Sequence, residues 1–465
     1  MTKSDNYKFF KPNNYDLPSE NQVEKLFEGL YPINRSLTGE GNEKTLAILA
    51  NIVDLKVRSV PSGKKVFDWT VPEEWSINDA YIKNSSGKKI VDWKENNIHV
   101  LNYSIPVKKT LISKKELMKN IYTLPEKENW IPYRTSYYER NWGFCLKENL
   151  VKSKEFSEPF EILIDSKLDP KGKMIFAEAF HKGISEQEII ISSYFCHPSL
   201  ANDNLSGIIT ATYLFNEIKK RETYYSYRLV LCPETIGALT FLSKHKDPSS
   251  IYSGFVISTT AGPGPLGIKH SFMGNHEIDI LTQKAVESVD KKHIKYPFKP
   301  DGSDERQYSS PAFRIPTTTI TKSKYYEYDE YHTSADNLDF VKSKYLLKSL
   351  DAYIKTFEYL EANRVLERKI TQGEFQLGKR GLLPSIGGSI NQSVEHENKF
   401  GSKKRKFILD FEFTGDHLSS YEWIMHMADS SNTIFDISAR SGIDFYTVYE
   451  SASMFYDKDL LKVIR

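Results

Sequence analysis

The stretch Glu188-Ile-Ile-Ile-Ser-Ser-Tyr-Phe195 constrains the fold more than any other part of this chain. A near-continuous apolar run bounded by polar turns belongs to a strand buried on both faces, as in a parallel sheet. A polar loop follows it, and then a helical pattern from Leu205 to about Lys219. The rhythm repeats, with Tyr227–Cys232 as a strand leading into a helix from Thr235, and Gly254–Ser258 as a third strand. Alternation of this kind from Phe160 to about Leu360 predicts an α/β fold, a sheet flanked by helices with its site at the strand C-termini.

The 465 residues leave room for further domains, and the sequence changes character on either side of this region. Residues 1–65 read as an N-terminal helical part of the α/β domain, with Val23, Leu26, Phe27 and Leu30 at helical spacing. Between its helical runs lies the turn-rich loop Tyr31–Gly41. Residues 66–150 read as an inserted all-β domain of short alternating runs, such as Ile98–Ile105, among turns and prolines. Five of the six Trp fall there (Trp69, Trp75, Trp93, Trp130, Trp142), a clustering expected of a small domain core more than of a binding face. Residues 151–364 carry the α/β rhythm. Residues 365–465 end it with a polar link (Gly387–Lys406), a strand over Phe407–Phe413, and helices at Ser420–Met427, Ile434–Ser441 and Asp444–Phe455. Two of these flank Gly442 with the spacing of a helix-turn-helix, so a winged-helix-like domain is expected.

Net charge is close to zero, with 63 Lys and Arg against 61 Asp and Glu, which argues against a protein that coats polyanions. The polar N-terminus has no apolar core of signal-peptide length, and no later stretch is long and apolar enough to span a bilayer. A cytoplasmic protein without a membrane partner is the expectation. Cys145, Cys196 and Cys232 are odd in number and widely spaced in apolar contexts, so buried reduced thiols are expected in place of a disulfide framework.

The strongest chemical signal is Phe195-Cys-His-Pro-Ser-Leu-Ala-Asn-Asp-Asn-Leu-Ser-Gly207. His197 leaves the end of a buried strand and Asp203 follows just before a helix, so one short loop can aim an imidazole and a carboxylate at one point. Zn²⁺ favours such ligands, three from the protein with a fourth position open in catalytic sites. The alternative is that Asp203 caps the helix and His197 is an ordinary loop histidine. Two further segments favour the metal: Glu234 at the end of the next strand and His332 after a long polar loop. A carboxylate that takes a proton from water completes a metal-assisted hydrolase, although Glu234 would also be favoured at a helix N-terminus by the dipole alone.

The order His197, Asp203-Asn-x-Ser-Gly207, Glu234-x-x-Gly237, Ser303-Asp304 and His332 resembles the M28-type zinc aminopeptidases, a group that includes related glutaminyl cyclases. Nearly the whole chain resembles bacterial proteins with an aminopeptidase-like domain, a β insertion and a C-terminal winged helix, through Arg35–Gly41, Pro132–Tyr138, Trp142–Cys145 and Cys196–Ser199. The resemblance implies zinc held by His197, Asp203 and His332, with Glu234 as general base. Two ligand positions of the dizinc members are changed, to Thr235 and to the Ser258-Thr-Thr-Ala-Gly262 stretch, so one zinc is expected rather than two. Asp304, Arg306 and Tyr308 fall where the family carries a Ser-Asp motif near its substrate. Asp304 would orient a ligand histidine, Arg306 would hold a substrate anion and Tyr308 would donate to an oxyanion. A surface loop with an internal Asp-Arg pair is the bland reading. Arg35 and Arg134 are further candidates for substrate binding, and Cys196 reads as a structural thiol. The expected reaction is cleavage of a peptide or amide bond in a small-molecule or peptide substrate by metal-activated water. The competing reading is a degenerate peptidase acting as a metal- or ligand-binding interaction protein.

The C-terminal domain must be weighed against its charge. Phe407–Arg465 contains four basic and ten acidic residues, and Phe445–Met454, the segment placed to read DNA, has no Lys or Arg. A phosphate backbone would repel such a face. The basic cluster Lys403-Lys-Arg-Lys406 lies on the link. DNA is therefore not the expected partner, and the domain reads as a packing module through which a protein or a second copy of the chain would bind.

Overall fold

In the computed structural model, the residues described are 15–384 and 413–464, with Phe10 and the isolated positions 392, 394–396 and 399. The chain divides into two compact units, Asn14–Thr356 and Met1–Asn13 with Phe357–Arg465.

The larger unit is built on an eight-stranded sheet. Its strands run in the order Lys56–Pro61, Lys173–His181, Ser226–Cys232, Glu188–Tyr194, Ile251–Val256, Thr317–Lys322, Leu266–Lys269 and Ile294–Tyr296. Glu188–Tyr194 lies parallel to both neighbours, and every one of its residues is buried. Burial on both faces is why the sequence shows a run here and not an alternation. At one edge the pairing turns antiparallel, through Lys173–His181 and Lys56–Pro61. The helices Gly207–Ile218 and Ile236–Lys244 follow the two central strands, and nearly all residues of each are buried. The α/β fold expected from the rhythm is the fold observed.

A four-stranded antiparallel sheet stands beside it, in the order Lys89–Asp92, Glu74–Lys83, Phe160–Asp169, Val107–Ile112. Its longest pairing joins Glu74–Lys83 to Phe160–Asp169, so this sheet draws a strand from beyond residue 150. Ile82, Val91, Phe144, Phe160 and Ile162 form its core. Ile98–Ile105, expected as a strand, is not one. Asn96 caps a short turn at Asn97–His99 by accepting the Ile98 amide, and only single bridges at Val100 and Asn102 follow. The alternation there records burial along a bent chain, with Ile98, Val100 and Leu101 inside. The tryptophans also part company. Trp75 is buried and donates to the Ser104 carbonyl, and Trp93 and Trp142 pack on the small core, but Trp69 is 41% exposed.

The smaller unit holds helices at Gly415–Met427, Ile434–Ser441 and Phe445–Asp457, and a three-stranded sheet of Asp429–Thr433, Val365–Arg368 and Leu461–Val463. Gly442, at φ +73°, ends the second helix in the left-handed conformation that glycine adopts without strain. In the third helix Tyr446 stacks on Tyr359 and donates to Glu358, and Tyr449 donates to the Phe10 carbonyl. The face expected to read DNA is thus partly occupied within its own unit. Lys403–Lys406, and the Phe407–Phe413 strand apart from Phe413, lie outside the described residues, as does most of the link. Among the described residues no helix is long and apolar enough to cross a membrane.

Candidate functional site

His197, Asp203, Glu234 and His332 arrive on loops that follow three strands of the large sheet, Glu188–Tyr194, Ser226–Cys232 and Thr317–Lys322. Parallel strands deliver their C-terminal loops to one edge, so residues far apart in sequence meet there. His332 Nε2 lies 2.9 Å from Asp203 Oδ2, and His197 Nε2 lies 3.9 Å from Glu234 Oε2. The two imidazole rings are 5.4 Å apart. The donor atoms of His197, Asp203 and His332 all fall within 4.8 Å of one another.

A frame of buried polar groups fixes this geometry. Asp203 sits in an irregular turn over Ala201–Ser206 that begins before the helix. Asp336 accepts the backbone amides of Asn202 (2.6 Å) and Asp203 (3.0 Å), tying the His332 loop to the Asp203 turn. Asn204 donates to the Tyr194 carbonyl and accepts the Thr259 amide. Gly207 must be glycine, because a Cβ there would stand 2.2 Å from Asn204 Oδ1 and 2.6 Å from the Ile257 carbonyl. Tyr194 donates to Asp203 Oδ1 at 2.6 Å, leaving Oδ2 to face His332. Tyr331 stacks on His332 at 3.9 Å.

The electrostatics suit a cation. Burial pushes the His197 imidazolium down to about 4, so the ring is neutral, the form that ligates metal. Burial acts to raise the Asp203 carboxyl, but His197, His332 and the Tyr194 hydroxyl outweigh it and hold it at about 2. His332 Nε2 is buried and faces Asp203 Oδ2 at 2.9 Å without a well-directed hydrogen bond. The His332 nitrogen, the neutral His197 ring and an ionised carboxylate are a donor set that fits Zn²⁺. A second group, Cys196, His197 and Glu234, shares His197. It is the poorer candidate, because burial holds the Cys196 thiol protonated and its sulfur already accepts the Glu234 amide. Glu234 has 24% of its side chain exposed to the cavity, yet burial, Asp304 and Asp203 push its carboxyl well above the usual range.

The other expected residues are placed differently. Asp304 is buried and accepts the Thr235 amide at 2.6 Å, so it orients the Glu234 turn and not a histidine. That bond restrains Thr235, whose φ of +63° and ψ of −76° are costly for a β-branched residue. Tyr308 is wholly buried and donates to Ser192 Oγ inside the core, which takes its hydroxyl away from any substrate. Arg306 donates to the Ser303 carbonyl. Arg35 is also buried: its Nε donates to the His197 carbonyl and its Nη1 to that of Leu30, so it braces the ligand loop from behind. Burial lowers its guanidinium to about 9. Arg134 is exposed, and its Nη1 donates to the neighbouring Tyr133 carbonyl.

A cavity of about 330 Å³ opens onto His197, Glu234 and His332. Its walls include Tyr133, Tyr137, Tyr138 and Trp69, all from residues 66–150. The Tyr133 ring lies 5.3 Å from His197 and 5.2 Å from His332, and its hydroxyl meets that of Tyr137 at 2.9 Å. Sequence reasoning did not assign these rings to the site. The available signal was the aromatic density of Pro132–Tyr138, already notable as a motif.

Comparison with known proteins bears on the family and the fold. Residues 24–363 match the family described as a domain of unknown function, DUF4910. The chain belongs to that family. It is 39% identical over 445 residues to a Clostridium acetobutylicum protein named as a candidate polysaccharide biosynthesis protein with an aminopeptidase-like domain, covering 95% of this chain and 96% of that one. The crystal structure of a candidate peptidase from the same organism superposes with a TM-score of 0.83 at 36% identity, covering 96% of each chain. A zinc aminopeptidase from Bacillus subtilis shares the fold at 12% identity and a TM-score of 0.53, over 74% of this chain and 96% of its own. The DUF4910 chain therefore has the aminopeptidase-like architecture that its motifs resemble.

Proposed function

We propose that this protein is a zinc-dependent hydrolase that cleaves an amide or peptide bond in a small molecule or peptide. The observation that carries the reading is the convergence of His197, Asp203 and His332, whose donor atoms all lie within 4.8 Å of one another, with Glu234 across from His197. Zinc bound by these three residues would polarise the substrate carbonyl and make water a better nucleophile. Glu234 takes the proton from the attacking water and passes it to the departing nitrogen. Its raised proton affinity suits the second half of that transfer, donation to the nitrogen. Asp304 holds the Glu234 turn, and Arg35 and Asp336 hold the histidine loops. The absence of carboxylates at Thr235 and across Ser258–Gly262 favours one zinc over two. Those same changes, and the name of the Clostridium relative, set amides on sugars beside peptides as substrates.

The test is Glu234→Gln in protein expressed with zinc. Native mass spectrometry should show one zinc in both forms, and hydrolysis should fall by about 10²–10⁴-fold in the variant. Metal-free protein, or turnover that Glu234→Gln leaves unchanged, overturns the proposal. Unchanged turnover would favour the non-catalytic interaction protein. Three buried, unpaired cysteines fit a reducing cytoplasm. We assign the C-terminal unit, as a winged-helix-like module, to contacts with protein and not DNA, on its acidic balance.

A further inference from the structure

The cavity in front of the histidines has a wall chemistry that discriminates between substrates. Among the described residues, apart from Glu234 and the two imidazoles, its lining carries no ionisable side chain other than tyrosine and cysteine. It offers neither Lys nor Arg for a substrate carboxylate. Aromatic faces and hydroxyls take their place, from Trp69, Tyr133, Tyr137, Tyr138, Thr135 and Thr235. Trp69 and Tyr138 are 41% and 48% exposed, with ring centroids 5.7 Å apart at 67°. The two rings stand half-open side by side at the mouth of the site, an arrangement suited to a binding surface.

Tyr138 also walls a second cavity of about 310 Å³, whose lining includes Thr70, Tyr103, Glu73 and Arg140. Both spaces lie near the small end of ligand pockets, at about 300 Å³. The two spaces share Tyr138 as a wall, and Trp69 and Thr70 of one short strand line one each, so a second compartment with Glu73 and Arg140 in its lining adjoins the first. A chain of rings with apolar C–H faces and hydroxyl edges matches that sequence of surfaces.

We propose that Trp69 and Tyr138 form a glycosyl-stacking subsite, and that the substrate is a short glycan bearing an N-acylated amino sugar whose amide reaches the His197–Asp203–His332 cluster. The binding claim stands on the cavity walls, and the reaction rests on the hydrolase reading above. In that reaction the water oxygen bonds to the acyl carbon and the C–N bond breaks. The nitrogen takes a proton, so that a carboxylic acid and a free amino sugar leave.

The experiment is calorimetric titration of the full-length, zinc-loaded Glu234→Gln chain with the β-linked disaccharide of N-acetylglucosamine, and separately with the tripeptide Leu-Gly-Gly. The disaccharide should bind, and Trp69→Ala and Tyr138→Ala should each weaken it about tenfold. Trp69→Phe should restore most of the loss, and zinc content should stay unchanged throughout, which separates a lost ring from a lost fold. Failure of the disaccharide to bind at millimolar concentration, binding indifferent to Trp69, or a tripeptide that binds with the same Trp69 dependence each overturns the subsite. Trp69-dependent binding without acetate release by the parent chain would sink the hydrolase reading and leave the subsite standing.

Discussion

Glu188 opens the central strand at the end opposite the histidines, and its ion pairs allow a stability prediction that the site should not feel. Arg228 grips it with two bonds, Nε to Oε2 at 2.6 Å and Nη2 to Oε1 at 2.9 Å, while Nη1 reaches Glu178 at 2.9 Å. His245 approaches Oε2 at 3.3 Å. Burial works to raise the Glu188 carboxyl, but these partners outweigh it and bring it from 4.5 to about 2. At about 1.36 kcal/mol for each pK unit, the folded state gains about 3 kcal/mol from the ionised form at neutral pH. The folded value lies below the unfolded one. The gain is therefore fully present above pH 4.5, falls to about 1.4 kcal/mol at pH 3, and is lost as pH drops through about 2. Glu188→Gln should cost about 3 kcal/mol in urea unfolding at pH 7, and less than half of that at pH 3. A loss of equal size at both pH values, or no loss at pH 7, would refute the reasoning. Zinc affinity should not change, because the side chain lies a strand length from the cluster.

Asp336→Asn keeps the shape of the side chain but leaves one oxygen to accept where two now take the Asn202 and Asp203 amides, so the turn loosens and zinc affinity should fall about 10–100-fold by chelator competition with the fold intact. His332→Ala removes a ligand outright and should leave the chain without zinc by elemental analysis. Gly207→Ala drives a methyl into Asn204 and the Ile257 carbonyl, and should lower stability by about 1–3 kcal/mol or more in thermal unfolding.

The central sheet was legible in the amino-acid sequence because Glu188–Tyr194 is buried on both sides, and full burial leaves a short run in place of an alternation. His197, Asp203 and Glu234 were legible for a related reason: each follows a strand by a few residues, and a short loop has little freedom in where it points. Direction was harder to read. Asp304 and Tyr308 stand four residues apart beside the site, yet one turns to the Thr235 amide and the other into the core. Loop position does not encode that choice. The aromatic wall was illegible for another cause, since Trp69 and Tyr133 reach the cavity through tertiary packing of a separate sheet region. Ile98–Ile105 shows the reverse error, where alternating burial occurs without a sheet partner along most of its length.

The way residues 131–135 are joined to the loop that carries His332 has a wider consequence. Tyr133 donates its amide to the His332 carbonyl, Ser334 donates its own to that of Ile131, and Pro132 bridges Thr333. These are main-chain bonds, indifferent to the side chains that hang from them. A wall fastened in this manner can exchange Trp69, Tyr137 or Tyr138 for other groups while the ligand loop stays where it is. What such a protein recognises is then free to diverge between relatives faster than the chemistry it performs.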